Sequence, residues 1–217
     1  MLLYYITDRL QLLARASDSR TALLEKIGEA AEAGVDYIQL REKDIPSREL
    51  ERLAADAVRI VTEANARHNG RPASRLLINS RIDVALAVGA DGVHLRSDDI
   101  SIADARSIAS AAGSQSFLVA RSCHTLEDVR DAERDHADFV VIGPVFEKNA
   151  APQNAPIGLD TVAEAARSRV PVLALGGITL ENAPACLRVG SSGIAAIRLF
   201  QDKRIAEVVS LLRGQSQ

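Results

Sequence analysis

The chain has 217 residues with 26 basic and 29 acidic side chains, a formal net charge of −3, 47% hydrophobic residues and 3% aromatics without a tryptophan. A slightly acidic chain this poor in rings lacks the basic groove and stacking platforms of a single-strand nucleic-acid binder, and no run approaches the ~20 apolar residues of a membrane span. The two cysteines, Cys123 and Cys186, make neither a disulfide framework nor a zinc quartet, and with an N-terminus that meets Asp8 and Arg9 at once they point to a reducing cytoplasm.

Short apolar runs alternate with Ala-rich, charged stretches. The runs are residues 2–7, 37–40, 76–78, 92–95, 117–120, 139–142, 172–175 and 193–197. Near-continuous apolar runs of this length read as strands buried on both faces, as in parallel sheets. Between them, residues 21–33 place Leu23, Leu24, Ile27 and Ala31 on one helical stripe, and residues 47–66 do the same with Leu50, Leu53, Ala54, Ala57, Val58 and Val61. With so few rings, the core is expected to be built from Ala, Val, Ile and Leu. The joint between helix and strand repeats: AGVDYIQL from Ala33, VGADGVHL from Val88, VGSSGIAAI from Val189, and a fainter HADFVVI from His136. Each reads as a left-handed stop and a short turn into a strand. Eight strand–helix units in 217 residues, about 27 per unit, predict an α/β fold of the (β/α)8 TIM-barrel type, one domain over residues 1–217. An open doubly wound sheet fits less well, because no glycine-rich turn follows the first strand.

In such a barrel the chemistry sits at the C-terminal ends of the strands. The second strand ends in Gln39-Leu40-Arg41-Glu42-Lys43. Alternation puts Gln39, Arg41 and Lys43 on one face, where an amide and two cations suit a phosphate or diphosphate; Glu42 and Lys43 read equally as a solvated loop start. The third strand ends in Asn79-Ser80-Arg81, able to bond a heterocycle or to cap the next helix. His94 precedes Arg96-Ser97-Asp98-Asp99. The histidine reads as a satisfied core residue, and the acids as magnesium ligands or helix-capping groups. The fifth strand leads into Arg121-Ser122-Cys123-His124-Thr125. His124 is placed for proton transfer, Ser122 shares its face, and Cys123 points away into packing. His68 and His136 read as solvated or structural. The seventh strand ends in Gly176-Gly177-Ile178-Thr179 before a helix expected near residues 180–181, and the eighth ends in Ala196-Ile197-Arg198. Backbone amides there form a phosphate cradle. The one long irregular loop, residues 147–158, follows the sixth strand and so lies on the same face.

These motifs carry a resemblance. YYITDR, YIQLREKD, LLINSRIDVALAVGADGVHL, ARSCHTLEDV, ADFVVIGPVFE, PVLALGGIT and GSSGIAAI occur in this order over residues 5–200, and the pattern resembles the thiamine-phosphate synthase/TenI family. The resemblance implies a phosphate-binding barrel of thiamin biosynthesis. In its synthase branch, hydroxymethylpyrimidine diphosphate is joined to a thiazole phosphate with Mg²⁺. The Gln39–Lys43 motif of that branch is present, and its acidic residue after the fourth strand falls on Asp99. Departures stand at Ser80, where the branch carries an aspartate, at Arg96-Ser97 for Gly-Gln, and at Glu147-Lys148-Asn149-Ala150 for a Thr-x-Thr-Lys segment. Arg198 replaces a small residue of both branches. The TenI branch, which tautomerises a carboxythiazole phosphate without a cofactor, is similar at Asn79-Ser80-Arg81-Ile82-Asp83 and at residues 121–128, where its acid/base histidine falls on His124.

The sum favours a TenI-like tautomerase. Gly176, Gly177, the backbone of Ala196 or Ile197, and Arg198 would hold the phosphate. His124 would relay the proton, with Arg41 and Asn79 orienting the ring and Gln39, Lys43 and Ser122 contributing to substrate binding. A synthase with Mg²⁺ at Asp99 is the alternative, and a non-catalytic module binding thiazole or thiamin phosphate a third. The expected partner is a small phosphorylated thiazole, not nucleic acid or membrane; a homodimer stays open.

Overall fold

A computed structural model describes residues 1–12, 18–67, 70, 72–146 and 155–214. Eight parallel strands close in sequence order: β1 (Leu2–Ile6), β2 (Tyr37–Leu40), β3 (Arg75–Asn79), β4 (Gly92–Leu95), β5 (Leu118–Cys123), β6 (Phe139–Ile142), β7 (Val172–Leu175) and β8 (Gly193–Ala196), which pairs back onto β1. Around them lie α1 (Ser19–Ala33), α2 (Ser47–Arg67), α3 (Ile82–Val88), α4 (Ile102–Ala111), α5 (Leu126–Arg134), α6 (Gly158–Ala165), α7 (Ala183–Arg188), α8 (Arg198–Gln201) and α9 (Ile205–Gly214). This is the (β/α)8 barrel expected from the alternation. No helix among the described residues is long and apolar enough to cross a membrane.

Two elements depart from expectation. β5 runs three residues further than residue 120, because Arg121, Ser122 and Cys123 pair with Val140, Val141 and Ile142. α7 starts at Ala183 rather than near residue 180, because Thr179 and Asn182 exchange side chain–backbone hydrogen bonds and Asn182 Nδ2 donates to the Gly177 carbonyl.

Strand alternation sorts the core into two clusters. Outward residues pack beneath the helices, and inward residues (Tyr4, Ile6, Leu77, Ala120, Phe139, Val141, Leu173, Ala195) fill the lumen. The lumen is not purely aliphatic as expected. Phe139 stacks on Tyr37 with centroids 4.5 Å apart and meets Tyr4 edge-on at 5.3 Å. Large planar rings fill a wide lumen with few residues and gain from these geometries.

The repeated joint has a shared construction. Gly34, Gly89, Gly190 and, in the faint copy, His136 all take positive φ, at 79°, 68°, 99° and 61°. In three copies the aspartate after the turn accepts the N–H of the second residue of the neighbouring strand: Asp36 from Leu3 at 2.7 Å, Asp91 from Leu76 at 2.8 Å and Asp138 from Val119 at 2.7 Å. Each also pairs with an arginine, namely Arg213, Arg75 and Arg106. These acids clamp the N-terminal rim and leave the opposite rim to chemistry.

Tyr5 is fully buried against Phe200, and its hydroxyl finds no hydrogen-bond partner among the described residues. An unmet buried hydroxyl is a net cost. Tyr5→Phe is therefore expected to stabilise the fold by about 1 kcal/mol, read as a higher urea midpoint at unchanged slope.

Candidate active site

The C-terminal rim is assembled from strand ends whose inward positions are polar. At β2 the Arg41 backbone N–H donates to Thr7 Oγ1 at 2.9 Å, and the same hydroxyl donates to Glu42 Oε1 at 2.7 Å. Glu42 also accepts the Arg9 backbone N–H. Glu42 is buried, which corrects the solvated-loop reading: it brackets β1 to β2 and fixes where Arg41 leaves the sheet. Burial pushes its carboxyl up despite the hydrogen bonds from Thr7 and Arg9. Lys43 is exposed, as a loop start would be. Its amine is pushed down by partial burial and by the cations of Arg41 and Arg96, so these three positive groups share one region of the rim. Glu42→Ala strands the Thr7 hydroxyl and the Arg9 N–H. It is expected to cost about 1–3 kcal/mol of stability, measured by urea denaturation, and to weaken anion binding at Arg41.

Beneath the rim a polar line crosses the lumen. Gln39, buried at the foot of the site, donates from Nε2 to Tyr4 Oη at 3.0 Å. Tyr4 Oη lies 3.1 Å from His94 Nδ1, and His94 Nε2 lies 2.8 Å from Ser122 Oγ. Burial, aided by Arg41, lowers the His94 pKa to about 3. His94 is thus a satisfied interior histidine, as the sequence suggested, but it supports Ser122 directly. Chain separations of 35, 90 and 28 residues left this line no local signature.

His124 follows β5 and is exposed. Its backbone N–H and that of Thr125 donate to Asp128 Oδ2 at 2.8 and 2.9 Å, and Thr125 and Asp128 form a capping box on α5. Against partial burial, these N–H donors hold the Asp128 carboxyl below its ordinary range. The ring Nδ1 lies 2.9 Å from the Gly143 carbonyl. A carbonyl only accepts, so Nδ1 carries the hydrogen, and in the neutral ring the lone pair is then on Nε2. Cys123 points into packing, its thiol pushed up by burial to about 12, and the buried Cys186 sits at about 11; neither is a nucleophile. Arg121 spans to the carbonyls of Ile100 and Ser97 and braces the loop after β4. His136 is exposed and its carbonyl accepts from Arg106, a structural role.

Asn79 does not cap α3: its Nδ2 donates to Ser80 Oγ at 2.9 Å, and Ser80 stands at φ 60°. Arg81 precedes the helix without a side-chain cap and pairs with Asp83. After β4, Asp98 engages the Arg96 guanidinium at 2.5 and 3.0 Å. Asp99 accepts the Arg96 backbone N–H at 2.7 Å and lies 3.6 Å from its Nε. Ser101 caps α4. The magnesium that the synthase resemblance implies needs oxygen ligands with lone pairs to spare. Here an arginine lies against both acids, and a hydroxyl stands at position 80. No group of three metal-ligating side chains occurs among the described residues. These residues do not fit a magnesium cradle.

Between the ends of β7 and β8 lies a cleft of about 660 Å³ lined by Gly176, Gly177, Thr179, Ala196, Ile197, Arg198 and Lys203. It brings together all five residues expected at a phosphate. Arg198 is exposed at the first position of α8, and Lys203 adds a second cation that the sequence reading missed. Gly176 has φ +103°, and a Cβ there would meet Pro144 Cα at 2.6 Å, so this glycine also serves packing against the β6 end. A smaller groove of about 420 Å³, among Gly34, Asp36, Pro72 and Arg213, lies at the opposite rim. Lys148 and His68 lie outside the described residues, as do residues 147–154 of the long loop.

Known proteins share this architecture and sequence. A thiamine-phosphate synthase of Roseiflexus castenholzii is 39% identical over 198 residues, covering 90% of this chain and 79% of that protein. One of Syntrophomonas wolfei is 36% identical over 197 residues, covering 90% and 86%. The solved thiamine phosphate pyrophosphorylase of Pyrococcus furiosus superposes with a TM-score of 0.79 at 30% identity, covering 99% of this chain and 94% of that one. These relatives do not single out the TenI branch. With the family model described as thiamine monophosphate synthase matching residues 3–200, the chain belongs to the thiamine-phosphate synthase/TenI family.

Proposed function

We propose that this barrel is a thiamin-biosynthesis transferase that joins hydroxymethylpyrimidine diphosphate to a thiazole phosphate. The observation that carries it is the pair of anion-receptive centres flanking β1: Arg41 and Lys43 above β2, and the Gly176–Arg198 cleft at β7 and β8. A coupling of two phosphorylated molecules calls for one centre each, and the names of the relatives support this reading over the tautomerase that the site residues alone favoured. In the reaction the pyrimidine methylene–oxygen bond breaks with its electron pair on the departing diphosphate. The thiazole nitrogen lone pair forms the new carbon–nitrogen bond. Arg41, with its bidentate fork, and Lys43 would hold the negative charge that develops on the leaving group. Backbone amides at Gly176, Gly177, Ala196 and Ile197, with Arg198, would anchor the thiazole phosphate, and Asn79 and Ser122 would orient the reacting rings. The enzyme would work in the cytoplasm.

A second reading is favoured by two specific features: Ser80 in place of a carboxylate, and the His124 Nε2 lone pair at the rim. Both suit proton transfer on a carboxythiazole phosphate, for which a placed histidine is worth about 10²–10⁴-fold. Incubation with both coupling substrates, with and without Mg²⁺, is expected to yield thiamin phosphate. No coupling under either condition, with aromatisation of the carboxythiazole phosphate that His124→Ala abolishes, would replace the first reading by the second. Tight binding of thiazole phosphate with neither turnover would replace both by the non-catalytic module.

A further inference from the structure

The line Gln39–Tyr4–His94–Ser122 has a direction. Tyr4 Oη accepts the Gln39 amide hydrogen, and its own hydrogen has His94 Nδ1 in reach at 3.1 Å. A hydroxyl that donates to Nδ1 requires a lone pair there, so a neutral ring keeps its hydrogen on Nε2. That nitrogen points at Ser122 Oγ, 2.8 Å away. The ring is 2% exposed, sits among Tyr4, Ser122 and the nearby Arg41 cation, and has no carboxylate in hydrogen-bond contact among the described residues, so the neutral form is the one the lumen holds. Ser122 Oγ therefore accepts from below and keeps its hydrogen for the half-buried side that faces the rim. The opposite tautomer would take that hydrogen and present an oxygen lone pair to whatever binds above. Only the first arrangement suits an anionic oxygen.

We infer that His94, oriented by Tyr4, is a positioning residue that holds Ser122 as a hydrogen-bond donor toward an anionic oxygen of the bound substrate. This rests on the reading of the rim as an anion site, and the two are separable by experiment. Ring ¹⁵N NMR of the ligand-free protein tests the direction alone: a neutral His94 with its hydrogen on Nε2 is expected, and an Nδ1-protonated ring overturns the inference. Calorimetric titration with inorganic diphosphate tests the consequence. Ser122→Ala and His94→Leu are each expected to weaken binding about tenfold, and the double variant no further, since both remove one donor. His94→Gln, which can keep an N–H toward Ser122, should restore most of the affinity. Tyr4→Phe, a conservative change at a fully buried side chain, should weaken binding and shift the ring hydrogen to Nδ1. Additive losses, or a Tyr4→Phe protein with parental tautomer and affinity, overturn the inference. A parent that binds no diphosphate overturns the anion-site reading together with the role of Ser122, whatever the tautomer.

Discussion

Gly176→Ala is expected to destabilise the barrel by about 3–5 kcal/mol and to weaken phosphate binding in the cleft. Two penalties combine. The residue stands at φ +103°, where an L side chain is strained, and its Cβ would fall 2.6 Å from both Pro144 Cα and Pro144 Cβ. The first contact is backbone, so no rotamer relieves it. Nor can the segment swing away cheaply, because Phe146 N–H donates to the Gly176 carbonyl at 3.1 Å and Val145 N–H to Leu175 at 2.8 Å. Relief must come from separating the ends of β6 and β7, which moves the amides of the proposed phosphate cradle. Gly113→Ala provides the comparison. Gly113 has φ +79° with nothing within 4 Å of its Cβ position, so it isolates the backbone term, about 1–2 kcal/mol. Urea unfolding of both variants and calorimetry with inorganic phosphate decide the matter. Equal destabilisation of the two would sink the packing argument, and unchanged phosphate affinity in Gly176→Ala would sink the link to the cleft.

The architecture was legible because its signals are local. A strand buried on both faces must be apolar at successive positions, and a left-handed helix stop favours glycine, so both appear in a window of ten residues. The inward set at the strand ends followed from period two, which brought Arg41, Ser122 and the Gly176–Arg198 group to one rim. What escaped was set by distance along the chain. Glu42 looked like a solvated charge because its partner Thr7 lies 35 residues away. His94 could be read as satisfied, but not as the support of Ser122, since Ser122 is 28 residues off and Tyr4, which orients the ring, 90. Arg121, which the sequence shows only as part of a motif, is consumed by carbonyls of the β4 loop. The aspartates at 36, 91 and 138 did have a local signal, an acid following the turn in three of the four copies of the repeated joint. The choice between coupling and tautomerisation escaped for another reason. It turns on how Arg96 and the acids Asp98 and Asp99 after β4 pair, with a hydroxyl at Ser80, which residue identities alone do not express.

Acid should destabilise the parent protein more steeply than His94→Gln. The His94 pKa stands near 3 when folded, chiefly through burial, and returns to 6.5 in the unfolded chain. A depressed folded pKa means that the unfolded state binds the proton first. The stabilising contribution is therefore complete above about pH 6.5 and is lost as pH falls from there toward 3. At pH 4 the unfolded histidine is almost fully protonated and the folded one still largely neutral, a difference of about 3 kcal/mol at 1.36 kcal/mol per pKa unit. The lumen offers the charged ring no rescue. Tyr4 and Ser122 occupy its two nitrogens, and the neighbouring Arg41 repels it. His94→Gln keeps an amide in the same place and does not titrate, and every other ionisable group is shared, so the difference between the two proteins reports this ring. Urea unfolding at pH 7, 5.5 and 4 is expected to show the parent losing ground to His94→Gln by about 3 kcal/mol across the range. Parallel profiles would mean that the lumen accepts the charged imidazole, whose Nδ1–H then donates to Tyr4 Oη while Nε2–H still donates to Ser122 Oγ.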